Sequence, residues 1–189
     1  MTGARLLLVG LVGCGGQALP TDRNGSPAED YLAPVGRLSM FGSELSAQGD
    51  RLLLLSAGDR WVLRLGERWR DAAPIASLDV QAEQALVVDG VTLLPPFVGV
   101  GEVAEGAEVV GRGEHEVWYG LFFDTSTVEV ADGAWAGTQV FAEGHGPIRL
   151  TVSAAAFGLP VGAWQLVGYE EAPEAVEALA EEPADTDPP

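Results

Sequence analysis

Residues 85–94 read Ala-Leu-Val-Val-Asp-Gly-Val-Thr-Leu-Leu. Two apolar runs flank Asp89 and Gly90, residue types that accept the positive φ of a two-residue hairpin turn, so the stretch predicts paired antiparallel strands. Pro95 and Pro96 follow, and neither can donate to a ladder, so the second strand must stop there or lie at an edge. Working outward, Ala57, Gly58 and Asp59 predict a second turn, between a strand over 51–55 and one over 60–65. Alternation along the latter puts Trp61, Leu63 and Leu65 on one face, which makes Trp61 a core residue, and Arg60, Val62 and Arg64 on the other.

The same rhythm of short apolar runs broken by Gly, Asp and Pro continues through the body. It predicts further strands over 35–41, 85–88, 91–94, 108–111, 116–123, 127–130, 138–141, 148–153 and 164–169. Trp118, Leu121 and Phe123, with Tyr119 and Phe122 opposite, read as a strand apolar on both faces, expected at the centre of a sheet or lining a cavity. The expected fold is mainly β, an antiparallel sheet curved into a sandwich or an open half-barrel.

The ends differ from the body. Residues 1–13 have the layout of an export signal: Arg5, an apolar run over 6–12 too short to span a bilayer, then the small residue Gly13. Residues 14–29, rich in Gly, Pro, Asp and Ser, read as a flexible tether, which starts the β domain at Asp30 and ends it at Tyr169. Residues 170–189 carry eight acids and no base, and read as a disordered acidic tail.

Charge and composition exclude several chemistries. The chain of 189 residues holds 28 acids and 10 bases, a formal charge of −18, which repels nucleic-acid phosphates and anionic headgroups. Every base is arginine, so a Schiff-base lysine and a phosphate-loop lysine are both excluded. Cys14 is the single cysteine and can form neither an internal disulfide nor a thiolate metal site. No Gly-x-Ser-x-Gly elbow occurs, His115-Glu116 lacks the second histidine of a zinc motif, and Gly99, Gly101 and Gly106 miss dinucleotide spacing. No catalytic residue, metal site or cofactor is assigned. Arg60, Arg64, Arg68 and Arg70, with Trp61 and Trp69, form the basic cluster of an acidic chain, and Arg60, Arg64, Trp61 and Trp69 are the candidate binding residues.

Leu11-Val12-Gly13-Cys14 resembles the lipobox of bacterial lipoproteins. That resemblance implies cleavage between Gly13 and Cys14, lipidation of Cys14, and a chain anchored to a membrane of the bacterial envelope, at the outer membrane or a periplasmic face. Leu55, Gly58 and Trp61, together with residues 141–149 and 164–169, resemble a group of β-rich bacterial envelope lipoproteins. It implies a curved antiparallel sheet and carries no catalytic residues over. The expected function is a non-enzymatic binding or structural module for a protein partner or a small apolar ligand. An anchored hydrolase is the alternative, with Glu114, Glu116 and Asp124 as the carboxylates to inspect.

Overall fold

The computed structural model describes residues 25–43, 51–82, 85–153, 158–159 and 161–181. A two-residue strand β1 (Ser26–Pro27) and a 3₁₀ turn (Ala28–Tyr31) lead into β2 (Arg37–Gly42), β3 (Arg51–Ser56), β4 (Arg60–Gly66) and β5 (Ala73–Gln81). Short strands follow: β6 (Leu86–Val88), β7 (Val91–Leu94), β8 (Phe97–Val98) and β9 (Val103–Ala104). The second half holds β10 (Ala107–Val117), β11 (Gly120–Val130), β12 (Gly137–Ala142), β13 (Gly146–Val152), β14 (Gly162–Glu171) and the helix α1 (Pro173–Glu181).

Twelve strands form one antiparallel sheet in the order β7-β6-β5-β4-β3-β2-β14-β13-β12-β11-β10-β9, and β1 pairs with β8 separately. Two meanders are thus joined where β2 meets β14. The sheet curls until β7, near one end, packs against β10 and β11 near the other, giving a nearly closed barrel. Thr92 Oγ1 donates to Glu105 Oε2 at 3.1 Å near this closure. The local signals hold: Asp89 and Gly90 take φ of 50° and 76°, and Ala57 N donates to Arg60 O at 3.0 Å across the second turn. The strand before Pro95 ends at Leu94 and is an edge.

Three tryptophans (Trp61, Trp135 and Trp164) with Phe41, Phe141 and Tyr31 fill the core and are fully buried. The Tyr31 hydroxyl accepts from Ser126 Oγ and Arg112 Nη2, each at 3.1 Å, so its polar end is satisfied in the interior. Gln139, also fully buried, donates to Trp135 O at 2.6 Å and Thr151 O at 3.0 Å while accepting from Thr151 N at 2.9 Å. These bonds supply backbone partners next to the place where the β12–β13 register slips between Val140 and Phe141. Gly146 sits at φ +85°, and a Cβ there would lie 2.8 Å from Ala33 N and Cβ, so this close approach requires glycine.

β3 is buried on both sides. Leu52 and Leu54 join the interior cluster, whereas Leu53 and Leu55 join an outer one with Leu38, Val62, Ala172 and Ala175. The cover is α1, whose Ala175, Val176 and Leu179 pack on that outer surface. The acidic tail therefore does not lack structure throughout: β14 runs to Glu171, Ala172 N donates to Gly36 O at 2.7 Å, and Pro173 opens a helix. Residues 182–189 and the candidate signal lie outside the described residues. At the other end, β1 and the 3₁₀ turn start the folded body inside the segment expected as tether.

The strand expected over 116–123 is corrected too. Trp118 and Tyr119 form the turn between β10 and β11, and each of those strands has 11 residues. Two register shifts in β10, between Val109 and Gly111 and between Gly113 and His115, bend this long hairpin. Its tip reaches β14, where Tyr119 N donates to Leu166 O at 2.9 Å. The Trp118 ring lies so close to Gly42 that a Cβ there would be 2.7 Å from it. Because Gly42 alternates with the inward-facing Phe41, the arm crosses the outside of the barrel wall.

Candidate functional site

Of the four candidate binding residues, the structure brings two together and sets the other two apart. Trp61 is 1% exposed and belongs to the interior, so it is a core residue and no binding platform. Arg60 points to the neighbouring Asp59, at 3.3 Å, and stays exposed. Arg64 and Trp69 do come together: the guanidinium lies 4.5 Å from the Trp69 ring centroid, and Arg64 Nη1 donates to Trp69 O at 3.1 Å. The bend after β4 makes this contact, turning the chain so that Trp69 returns over a strand face carrying Arg64. Cys14 and Gly13 lie outside the described residues.

Arg64 and Trp69 form one wall of a cleft of about 740 Å³ between α1 and the outer face of the barrel. Half-buried Met40 lies on its floor above the fully buried Leu38 and Leu53, and Ala175 stands on the helix side. Arg64 Nε is buried and has no hydrogen-bond partner among the described residues. An unsatisfied buried donor at the wall of a cleft is a place where a ligand acceptor gains more than it would in water. The rim carries both signs, with Arg68 and Arg70 against Glu67, Asp71, Glu170 and Glu174, so charge alone selects little there.

A second feature was not expected from the sequence. Trp118, Tyr119, Leu121 and Phe123 on the β10–β11 arm are 51%, 47%, 49% and 62% exposed, where a doubly buried strand was anticipated. Beneath them a hollow of about 540 Å³ is bounded by Phe122, His145 and Tyr169. Tyr119 and Tyr169 have ring centroids 5.1 Å apart, and Phe122 meets His145 edge-on at 5.2 Å. The Arg37 guanidinium stacks 4.7 Å from the Tyr169 centroid and is held by Glu171 at 3.0 Å. Apolar stretches at a hairpin tip without Asn-Gly or Asp-Gly carry no turn signature, so alternation alone could not locate this patch.

The carboxylates of the hydrolase alternative are exposed. Glu114, Glu116 and Asp124 lie on the arm, where the register shifts break regular alternation. No cluster of three or more metal-ligating side chains occurs among the described residues. Compared with known proteins, the chain matches no family model, no curated protein and no solved structure.

His115, half-buried on the arm, is held below its ordinary value of 6.5, first by burial and then by the positive charge of Arg149. The folded chain therefore resists a proton that the unfolded chain accepts. The stability contribution of neutral His115 is complete above pH about 6.5, is lost as the pH falls below that value, and levels off below the folded value. Urea unfolding of the parent and His115→Gln at pH about 8 and about 5.5 tests this. The parent should lose more stability on acidification than the variant; equal losses would contradict the assignment.

Proposed function

We propose that this protein is a lipid-anchored, non-enzymatic module of the bacterial envelope that holds a small apolar ligand in the cleft beneath α1. The observation that carries the reading is the cleft itself: apolar side chains from β2 and β3, an aromatic wall at Trp69, and a buried Arg64 Nε with no partner among the described residues. The ligand that suits it has an apolar body and one hydrogen-bond acceptor, with no need for a charge. Anchoring follows from the lipobox-like sequence ending at Cys14, which would place the module at the envelope. The exposed placement of Glu114, Glu116 and Asp124 does not favour the hydrolase alternative.

Titration with the neutral apolar dye prodan, whose ketone oxygen supplies an acceptor, followed by energy transfer from tryptophan, tests the cleft. Saturable binding at one site is expected, weakened by about tenfold or more in Met40→Glu, since one charge in an apolar contact costs at least about 1.4 kcal/mol. Leu121→Ser, on the arm and outside the cleft lining, should bind as the parent does. Absence of saturation, or a Met40→Glu variant that binds normally, would contradict the reading.

The anchor has its own test. Expressed in a bacterial host, the chain should yield an intact mass beginning at an acylated Cys14, and Cys14→Ser should leave it unprocessed. A mature chain without lipid would contradict anchoring.

A further inference from the structure

We propose that the outward surface of the β10–β11 arm rests on a zwitterionic lipid bilayer, with Trp118, Tyr119, Leu121 and Phe123 entering its interfacial layer. The inference rests on the anchoring part of the proposed function and adds a second membrane contact to it.

The residue types and their rigidity come first. Four large apolar side chains about half exposed or more lie within six positions of one hairpin, while Trp61, Trp135 and Trp164 are buried. Tryptophan and tyrosine favour the membrane interface because each joins an apolar ring to a polar tip. The patch is also held in place: Tyr119 N is bonded to Leu166 O at 2.9 Å, and Trp118 is seated against Gly42. A preformed patch loses little further conformational freedom when it docks.

Where the chain enters the body supplies the second argument. Ser26 Oγ lies 3.4 Å from Glu143 Oε2, and Glu143 borders the same hollow as Tyr119, Leu121 and Phe123. The segment leading from Cys14 therefore meets the folded body beside the arm. Ten residues lie between Cys14 and Gly25, so eleven chain steps give a reach of at most about 40 Å at 3.3–3.6 Å per residue. Lipid on Cys14 would keep the patch within that distance of the bilayer, and such tethering raises the effective concentration enough for a weak contact to be populated.

Charge selects the occupant. Exposed Glu114, Glu116 and Asp124 on the arm, with Glu143 beside it, set like charges against each other if a second copy docks through the same patch. They also repel anionic lipids. A zwitterionic headgroup such as phosphatidylethanolamine instead offers an ammonium group to these carboxylates while its acyl boundary receives the rings.

The test uses the full-length protein processed in a bacterial host, reconstituted into vesicles of phosphatidylethanolamine and phosphatidylcholine with brominated acyl chains. Trp118 emission is read as the difference between the parent and Trp118→Phe. Quenching of that difference by about twofold or more is expected, with most of it lost in the double variant Leu121→Ser, Phe123→Ser and none lost in Val161→Ser, an exposed valine just before β14. Replacing a third of the lipid by phosphatidylglycerol should reduce it. An acylated, vesicle-bound protein whose Trp118 is unquenched would overturn the proposal and leave the anchor standing. An intact mass without lipid would remove the anchor and the proposal with it. Concentration-dependent dimers abolished by the Leu121→Ser, Phe123→Ser pair would assign the patch to a second copy and equally overturn it.

Discussion

The structure depends on four successive leucines that are all removed from water. Leu52, Leu53, Leu54 and Leu55 are each 0% exposed, which a strand achieves only if apolar material covers both of its faces. Burying each side chain contributes roughly 1.5–3 kcal/mol, so the outer pair is worth as much as the inner pair. The barrel interior accepts Leu52 and Leu54, and α1 accepts Leu53 and Leu55. A helix of 9 residues is too short to be stable alone in water, so α1 and the outer wall of the barrel need each other. Ala172, bonded to Gly36, fixes the helix where the two meanders join.

β12 poses the same problem and receives a different solution. Val140 and Phe141 are adjacent and both fully buried in the interior cluster, the register slip between them letting two successive side chains enter the core. Nearer the joint of the two meanders, the β10–β11 arm, bent by two register shifts, crosses the outside of the wall at Gly42 and bonds to Leu166. Each external cover then creates a surface feature at its margin. Beside α1 the cover leaves the Arg64–Trp69 cleft, and on the arm it leaves aromatic side chains facing outward. Both candidate binding surfaces thus lie where an element crosses the outer wall.

Local signals were legible and distant ones were not. The Asp89–Gly90 turn and the inward side of Trp61 follow from adjacent residues, so the sequence sufficed for both. β5 escaped although Leu78 and Val80 alternate with polar neighbours over 77–81, because Pro74 and the mostly exposed positions before them hide its start; pairing with β4 defines it. Ala172, Ala175, Val176 and Leu179 do have helical spacing, but small side chains among acids hid the stripe, and the wall it covers lies more than a hundred residues away. The arm was misread for the opposite reason: aromatic residues suggested burial, and nothing in Trp118-Tyr119 announces a turn. Of the cleft, the Arg64–Trp69 wall was within reach because five positions separate those residues. Its apolar lining comes from β2 and β3 and could not be placed without the topology.

Mutual cover between α1 and the barrel wall is therefore the claim on which the cleft stands. Amide hydrogen exchange resolved to α1 and β3 addresses it most directly. Amides in the second half of α1 should exchange at least about a hundredfold more slowly than in an unstructured peptide, because opening the helix exposes Leu53 and Leu55. Exchange of α1 at peptide rates while β3 remains protected would contradict the account, since the wall would then be stable without its cover.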